Sequence, residues 1–437
     1  MAGLTPQFKK PRAVVMKVVI VGNGIAGNQV AFSIRERCRE TEITILSAEE
    51  FPEYDPCSLP YFLGGDCEQK ALFRKNEGDY TKQDIQLLYN SKAVSIDPES
   101  KTVSTESGEQ IGYDKLVLAH GGDLFTPPIE GIGNHGVFSC KQLHEALKLR
   151  SHAGKRAVII GSGAIGIEVA EALKKKGYEV YIIELLGWIL PALFDEPTAK
   201  RLEHALEGYN IHVLTGEKVL RIKGEQEVSG VVTDQREIDC DTVVVATGVV
   251  PGVNLAKTAG IATGRGIQVD RYMQTSVDDI YACGDCVETV DACTGQTAMF
   301  QLKHNAIEQG RIVARNIMGD LAEYRGAYAF ARAHFFHTHA VTFGKTMRET
   351  ECLVGDKELI EKEDAGNYLR IVLVDGKVFG AQAIGSYADS IGFFIGAMWR
   401  GEDMHQMRRK TEGLMPSKAA LSWPHVYMQF VIQPQGQ

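Results

Sequence analysis

The sequence predicts an α/β fold built on parallel sheets. Two stretches, 17–27 and 156–166, each pass from a run of apolar, β-branched residues into closely spaced glycines and then into a helical pattern. Each is followed by another apolar run, which is the order of a β-α-β unit. After residue 326 the pattern changes to short strands followed by a helix, which indicates a smaller α+β region.

The first stretch has the spacing G-x-G-x-x-G at Gly22, Gly24 and Gly27. The first glycine allows a tight turn, the second lets a pyrophosphate approach the backbone, and the third lets the helix pack closely on the strand. A helix is predicted over 28–39 and the next strand over 42–46. We therefore expect a dinucleotide site with its phosphates at the helix N-terminus, and an ordinary glycine turn is the alternative.

A ribose-binding carboxylate is expected shortly after the second strand of such a unit. Ser47 occupies the strand end, so Glu49 is the candidate. The alternative role for Glu49 is a solvated loop carboxylate.

The second stretch repeats the spacing at Gly161, Gly163 and Gly166. A helix is predicted to Lys176, and the strand over 179–183 leads directly to Glu184, where the ribose carboxylate belongs. Leu185 and Leu186 follow, so a 2′-phosphate has no evident cationic partner. The sequence thus favours NADH over NADPH.

Further strands are predicted around these two units. A hairpin is expected over 94–97 and 101–105, and buried strands over 113–122 and 241–251. The segments 266–270 and 275–280 lead into Tyr281, after which come Gly284 and Asp285. An acid after a strand-end glycine can face the ribityl hydroxyls of a flavin, while the next helix, predicted over 299–316, directs its N-terminus at the flavin.

A chain of 437 residues exceeds what one core usually supports. We predict two or three domains, with boundaries that divide the chain into 14–150, 151–265, 266–325 and 326–437. In the last of these, strands are expected over 333–345, 368–374 and 378–383, with Asp375-Gly376 as a hairpin turn and a helix over 385–400.

Composition limits the remaining classes of function. The chain has 47 basic and 56 acidic residues, and its net charge of −9 argues against broad nucleic-acid binding. It contains no apolar run of transmembrane length, and its first apolar run belongs to the glycine motif rather than to a signal peptide, so we expect a cytoplasmic protein. The 9 cysteines lack framework spacing, which is typical of free thiols in a reducing compartment.

No metal site is predicted. Cys283 and Cys286 form a C-x-x-C but flank the expected flavin motif, where small buried residues are tolerated. His334, His337 and His339 alternate in a predicted strand, which would put the last two on one face. They lack further ligands, so packing or interface roles are favoured.

Four motifs occur in order: the two glycine motifs, Ala246-Thr-Gly248 and Cys283-Gly-Asp285. With them the chain resembles, over nearly its whole length, the two-dinucleotide-domain flavoprotein reductases of the pyridine nucleotide-disulfide oxidoreductase fold. That family includes rubredoxin reductases, NADH oxidases and coenzyme A disulfide reductases. The resemblance implies two Rossmann-like dinucleotide-binding domains, one for FAD over 14–150 and 266–325 and one for NAD(H) over 151–265. It also implies a C-terminal interface domain over 326–437, which commonly makes a homodimer.

The resemblance also implies site residues. FAD would lie on Gly22, Gly24, Gly27, Glu49, Gly121, Gly284 and Asp285, and NAD(P)H on Gly161, Gly163, Gly166, Glu184 and Gly248. Glu168 matches a carboxylate that in relatives lies near the nicotinamide, and its alternative is an acid on a helix face. His120 replaces the threonine of the usual Ala-Thr-Gly, so it either approaches the FAD or fills the turn.

The motif around Cys57 departs from parts of the family. Phe62 stands where glutathione-reductase-type enzymes carry their second cysteine, which excludes their internal disulfide. The motif 57–61 instead resembles the single-cysteine motif of coenzyme A disulfide reductases and NADH oxidases. However, Glu53 replaces a frequent serine, and 413–423 lacks the tyrosine that those enzymes bring to the site. The motif 53–57 also resembles flavoprotein subunits that couple larger oxidoreductases, such as phenylglyoxylate dehydrogenase, to NAD.

These features support an FAD-dependent oxidoreductase that exchanges hydride with NADH or NAD⁺ and exchanges electrons with a second substrate. Two branches remain open. In one, the second substrate is a partner redox protein or complex. In the other, Cys57 lies at a helix N-terminus, which lowers the pKa of a thiol, and acts as a thiolate on coenzyme A disulfide or a persulfide, or serves an NADH oxidase. Because Glu53 and Asp55 oppose a thiolate, the sequence slightly favours the partner branch. A redox sensor that binds FAD and NADH is the alternative of another class.

Overall fold

The computed structural model of the chain describes residues 15–411. The first part of the chain contains helices α1 (Ile25–Arg37), α2 (Leu59–Gly64), α3 (Glu77–Lys82) and α4 (Leu143–Ser151), and strands β1 (Lys17–Val21), β2 (Glu42–Leu46), β3 (Ile85–Leu88), β4 (Ala93–Asp97), β5 (Thr102–Thr105), β6 (Gln110–Gly112), β7 (Lys115–Leu118), β8 (Gly122–Leu124) and β9 (Val137–Phe138).

The middle part contains helices α5 (Ala164–Lys175), α6 (Glu196–Gly208) and α7 (Asn254–Thr258), and strands β10 (Arg156–Ile160), β11 (Glu179–Glu184), β12 (Ile211–Thr215), β13 (Val219–Lys223), β14 (Gly230–Thr233), β15 (Glu237–Asp239), β16 (Thr242–Val245) and β17 (Val249–Pro251).

The last part contains helices α8 (Lys303–Ile317), α9 (Ile391–Arg400) and α10 (Met404–Thr411), and strands β18 (Ile267–Gln268), β19 (Ile280–Ala282), β20 (Val287–Val290), β21 (Thr297–Ala298), β22 (Phe330–Phe335), β23 (Thr338–Gly344), β24 (Lys357–Asp364), β25 (Asn367–Val374) and β26 (Lys377–Ile384). Short 3₁₀ helices lie at Pro56–Ser58, Gln69–Leu72, Arg348–Thr350 and Gly385–Ser390.

Two parallel five-stranded sheets form the centre of the fold. The first has the order β19-β7-β1-β2-β3 and the second the order β12-β11-β10-β16-β9. In each, the strand that precedes a glycine motif lies in the middle and is almost wholly buried, as its continuous apolar sequence requires. The α/β class predicted from the sequence is confirmed.

The two sheets exchange chain segments. Strand β19 pairs with β7 in the first sheet, although the whole second sheet lies between them in the sequence. Strand β9 pairs with β16 at the edge of the second sheet, and the antiparallel pair β8–β17 joins the ends of the two sheets. The predicted domain boundaries therefore stay a proposal: 14–150, 151–265, 266–325 and 326–437. Strand β9 lies before residue 151 in the sequence but belongs to the second sheet.

A third five-stranded sheet, called the third sheet below, is antiparallel with the order β22-β23-β26-β25-β24, and α9 packs against β26. The single strand predicted over 333–345 is wrong, because the chain turns at Phe336 and His337 between β22 and β23. Phe336 has a φ of 49°, a left-handed conformation that is rare for a bulky residue and that the sequence pattern does not predict. The turn at Asp375-Gly376 is confirmed, and both residues have the positive φ that a two-residue hairpin needs.

Several predicted element boundaries differ from the structure. Helix α1 begins at Ile25 rather than at residue 28, because Gly24 is its N-cap. Helix α8 begins at Lys303 rather than at residue 299. The strand predicted over 241–251 is interrupted by a turn at Gly248, whose φ is 104°. The helix predicted over 385–400 begins as a 3₁₀ segment and becomes α-helical only at Ile391.

Polar contacts between strands of the third sheet and α6 connect the third sheet to the second. Arg370 on β25 donates a hydrogen bond of 3.0 Å to Asp195 at the start of α6. The Gln382 side-chain oxygen accepts from the hydroxyl of Thr198 at 2.6 Å. Because these groups are largely buried, each depends on its partner to offset the loss of hydration.

We predict that Arg370→Ala lowers the free energy of unfolding by about 3 kcal/mol, since it leaves Asp195 unpaired in a mostly buried position. Chemical unfolding followed by circular dichroism measures this change. Arg400→Ala, which removes a more exposed ion pair with Glu402, is the control and should cost well under about 1 kcal/mol. Equal effects of the two substitutions would contradict the prediction.

Candidate functional site

The first glycine motif forms the predicted strand, turn and helix at the end of β1. A Cβ on Gly22 would lie 2.3 Å from the Ala119 carbonyl oxygen, and one on Gly27 would lie 2.1 Å from the Gly22 oxygen. A Cβ on Gly24 would meet nothing within 4 Å, because this residue borders a cavity. The motif therefore combines two close backbone contacts with one open position where a phosphate can approach.

The distant flavin motif lies next to the first glycine motif. A Cβ on Gly284 would lie 2.9 Å from the Cβ of Ala26, and the Cys283 amide donates to the Leu118 oxygen at 3.0 Å. Asp285 lines the same cavity, and its burial raises the pKa of its carboxyl. The structure thus brings Asp285, distant in sequence, to the same cavity as the first glycine motif.

The second glycine motif repeats the geometry of the first. A Cβ on Gly161 would lie 2.5 Å from the Ala246 oxygen, and one on Gly166 would lie 2.3 Å from the Gly161 oxygen. Gly163 and Gly248 both border the cavity, and Gly248 has a φ of 104°. Both glycine motifs therefore have space where a dinucleotide needs it.

Glu184 is fixed at the end of β11 by the protein itself. One carboxylate oxygen accepts from the Ser162 amide at 3.0 Å and from the Ser162 hydroxyl at 2.5 Å, and the other accepts from the Leu186 amide at 2.9 Å. Each carboxylate oxygen can accept more than one hydrogen bond, so ribose hydroxyls can still be bound. Leu185 and Leu186 are exposed beside it.

Glu49 lines the cavity near the first glycine motif. The Tyr54 hydroxyl donates to its carboxylate at 3.0 Å and accepts from the Leu143 amide at 3.2 Å. Burial raises the pKa of Glu49. Sequence reasoning did not identify Tyr54, because no motif signals a tyrosine that orients a carboxylate.

One cavity of about 2170 Å³ contains all the residues predicted for the two nucleotides except the closely packed Gly27 and Gly166. Small-molecule pockets commonly measure about 300–1,000 Å³. This cavity therefore has room for two dinucleotides, and its open glycines and strand-end carboxylates fit FAD and NAD(H).

Cys57 lies in the short 3₁₀ helix that precedes α2. It is an exposed residue whose side chain borders the cavity, where the surrounding protein desolvates the sulfur. Its amide donates to the Asp55 carboxylate at 3.2 Å, and Lys303 at the start of α8 forms an ion pair with the same carboxylate. Burial and, next, Asp55 raise the pKa of the Cys57 thiol to about 11. The lowered thiol pKa considered for a helix N-terminus is thus wrong for this chain, since desolvation and nearby carboxylates dominate.

Glu168 projects from α5 into the same cavity as Cys57. Burial and the neighbouring Glu171 raise the pKa of its carboxyl to about 8, so it is mostly protonated at neutral pH. A protonated carboxyl can donate a hydrogen bond or a proton to a ligand in the cavity.

His120 follows β7 and lies against the β8–β17 connection. Its Nε2 atom lies 2.6 Å from the Gly252 carbonyl oxygen, which requires a proton on Nε2. Its Nδ1 atom is buried without a hydrogen-bond partner within residues 15–411. Burial lowers the pKa of His120, so the ring is neutral and occupies the turn between the two sheets.

The remaining residues singled out in the sequence are a pair of cysteines near the flavin motif and three histidines near β22 and β23. Cys283 and Cys286 are buried, and burial raises the pKa of Cys286 to about 12. His334 lies opposite His339 on neighbouring strands, whereas His337 lies in the turn, so the expected common face of His337 and His339 is wrong. No group of three or more metal-binding side chains occurs in the part of the chain that the structure describes.

Glu53, which departs from the family pattern, is buried and forms an ion pair of 2.9 Å with Arg74. It therefore anchors the loop before Cys57 instead of facing the cavity. The segment 413–423 and the aromatic residues Trp423, Tyr427 and Phe430 lie outside the described residues. Among residues 15–411, no helix is long and apolar enough to cross a bilayer.

Comparison with known proteins gives consistent matches. The family described as pyridine nucleotide-disulphide oxidoreductase matches residues 16–310. A NADH oxidase from Methanocaldococcus jannaschii is 31% identical over 85% of this chain and 88% of its own. An NAD(P)H coenzyme A polysulfide/persulfide reductase from Pyrococcus horikoshii is 33% identical over 77% of each chain.

Solved structures include a similar protein. A NAD-dependent persulfide reductase from A. fulgidus superposes with a TM-score of 0.85 at 31% identity, and the match covers 90% of this chain and 79% of that one.

We predict that Glu184→Ala weakens NADH binding by about tenfold or more, since a hydrogen bond to a charged group contributes about 1.5–3 kcal/mol. Stopped-flow reduction of the bound flavin at increasing NADH concentration measures this. Ser162→Ala is the matched control, because it removes the internal hydrogen bond and keeps the carboxylate. NADPH outperforming NADH, or equal losses in both variants, would count against the ribose role.

We predict a pH-dependent stability difference for Glu168→Gln. The folded protein keeps the Glu168 proton up to about pH 8, whereas the same carboxyl in the unfolded chain has its ordinary pKa of 4.5. The stabilisation that this proton gives the folded state is therefore full below pH 4.5 and is lost as the pH rises through 8. The unfolding temperature of Glu168→Gln minus that of the wild type should increase between about pH 5 and pH 9. Glu99→Gln, in an exposed turn, is the control, and a pH-independent difference for Glu168→Gln would contradict the assignment.

Proposed function

The chain belongs to the pyridine nucleotide-disulphide oxidoreductase family and is an FAD-dependent NAD(P)H oxidoreductase, and we propose that it uses NADH to reduce a small disulfide or persulfide at Cys57. The observation that carries this proposal is the position of the Cys57 thiol, which borders the cavity shared by both glycine motifs. When bound, FAD supplies the two-electron chemistry between nicotinamide and sulfur.

The proposed sites follow from the positions of the side chains. Gly22, Gly24, Gly121, Gly284 and Asp285 would hold FAD with Glu49, while Gly27 and His120 would pack behind it. Gly161, Gly163 and Glu184 would hold NADH, with Gly166 and Gly248 completing the turn. The absence of a cation in the strand-end segment 184–186 supports NADH over NADPH.

The chemistry at Cys57 is a thiol–disulfide exchange. The Cys57 thiolate attacks one sulfur of R–S–S–R′, so a Cys57–S–S–R bond forms, the original S–S bond breaks, and R′–S⁻ leaves and takes up a proton. Two electrons from NADH then release R–SH and restore the Cys57 thiolate. The protonated Glu168 carboxyl lies in the cavity as a proton donor for a departing thiolate.

Similar proteins support this proposal to different degrees. The names of the Pyrococcus horikoshii and A. fulgidus relatives state a persulfide substrate, and that chemistry uses a thiol of the kind Cys57 offers. The finer assignment of the substrate to this chain rests on Cys57 itself.

A second candidate is electron transfer to a partner redox protein or complex, the branch that the sequence slightly favours. The specific observation for it is the carboxylate of Asp55 beside the Cys57 amide, which helps to keep the thiol protonated. In that case Cys57 only lines the flavin site. A sensor without turnover has no such supporting contact.

We predict that Cys57→Ser loses at least about 100-fold in coenzyme A disulfide or persulfide reduction, since a serine hydroxyl is a poor nucleophile toward sulfur. Reduction of the bound flavin by NADH, which needs no thiol, should continue, and one-electron dyes should still be reduced. Steady-state assays with each acceptor, beside the stopped-flow half-reaction, measure these rates. Retention of disulfide and persulfide reduction in Cys57→Ser would reject the thiol branch and leave the partner branch.

A further inference from the structure

Lys303 contacts the loop carrying Cys57 through Asp55, two residues before the thiol. It is the first residue of α8, far from residue 57 in the sequence, and its ammonium group forms an ion pair with the Asp55 carboxylate. The other oxygen of that carboxylate accepts the Cys57 amide at 3.2 Å. Lys303, Asp55 and Cys57 are thus connected in one chain of contacts.

The charges around the thiol are mostly negative. Asp55 comes from the loop before Cys57, Glu168 from α5 and Asp285 from the segment after β19, and Tyr61 on α2 adds a further titratable group. Of the four charged groups with the largest effects on the thiol, Lys303 is the cation, while Arg332 on β22 lines the same cavity and acts on Tyr61. Without Lys303, the Asp55 carboxylate would oppose a Cys57 thiolate in full.

We propose that Lys303 is a positioning residue: its positive charge offsets the negative charge of Asp55, and Cys57 therefore loses its proton to form the thiolate more easily. This proposal rests on the proposed function of Cys57 and adds a residue from α8, which is distant in the sequence. Asp55 binds both the backbone amide of Cys57 and the lysine, so the same carboxylate fixes the loop and places the positive charge.

A purely structural ion pair would give a different result. Lys303 and Asp55 are about one-third and one-fifth exposed, at 34% and 18%, so their mutual attraction contributes little to stability. Their charges still act on a thiol that burial has desolvated, because screening is weaker inside the cavity. Stability and thiol reactivity can therefore be separated experimentally.

The test measures the rate at which iodoacetamide alkylates Cys57 in the FAD-bound protein between about pH 7 and pH 10, because only the thiolate reacts. Mass spectrometry of the peptide containing Cys57 gives this rate, and the exposed Cys352 is an internal standard for the reagent. Lys303→Met should slow alkylation of Cys57 about tenfold at a fixed pH, equivalent to about one pKa unit. Lys303→Arg should stay within about threefold of the wild type, since it keeps the charge.

Asp55→Asn should accelerate alkylation about tenfold, and Lys303→Met combined with Asp55→Asn should return close to the wild-type rate. Arg315→Met, which breaks an ion pair with Asp320 at the other end of α8, is the matched control and should change nothing. An unchanged rate in Lys303→Met overturns the proposal. If Lys303→Met does not retain FAD, Asp55→Asn decides alone, and an unchanged rate there also overturns it.

Failure of this inference is distinct from failure of the proposed function. If Cys57→Ser retains persulfide reduction while Lys303→Met slows alkylation, the substrate assignment is wrong and the electrostatic role of Lys303 stands. If Cys57→Ser loses that activity while Lys303→Met leaves alkylation unchanged, the thiol chemistry stands and the role of Lys303 is wrong.

Discussion

The cavity depends on backbone contacts that leave no room for a side chain. At Gly22 and Gly161 an added Cβ would lie 2.3 Å and 2.5 Å from the carbonyl oxygen of the neighbouring strand end, and at Gly27 it would lie 2.1 Å from an oxygen of its own turn. Any side chain there would push β1 from β7 or β10 from β16. These contacts bring the strand ends and helix N-termini close enough together to form one edge of the cavity.

The position of Cys57 depends on the same turn. Asn23, a non-glycine residue of the first motif, donates a side-chain hydrogen bond of 3.0 Å to the Phe51 oxygen. The Tyr80 hydroxyl donates to Asn28 at 2.9 Å and accepts from the Glu53 amide at 3.1 Å. Hydrogen bonds at two points of the loop 51–57 therefore connect the segment that carries Cys57 to the first glycine motif and to α1.

The sequence predicted the parts of the molecule that follow short-range rules. Glycines at fixed spacing, buried apolar strands and the Asp375-Gly376 turn each require a particular backbone, so their structures follow from local chemistry. The turn at Phe336 could not be predicted, because a bulky aromatic residue rarely adopts a positive φ and its alternating neighbours continue the strand pattern. The contact of Lys303 with Asp55 joins segments that no local pattern connects.

A helix N-terminus predicts a lowered pKa for the Cys57 thiol, but the structure raises this pKa, for a reason that applies to the whole site. A helix N-terminus lowers a thiol pKa through a partial charge, but burial acts on the full charge of the thiolate and is the larger effect here. The same desolvation keeps Glu168 protonated and His120 neutral at pH 7. Burial thus holds three titratable groups of the cavity in their uncharged forms, and the ion pair between Lys303 and Asp55 lies beside them. In the proposed reaction, a negative charge that develops on the Cys57 sulfur is stabilised by the ammonium group of Lys303, and a departing thiolate takes its proton from Glu168.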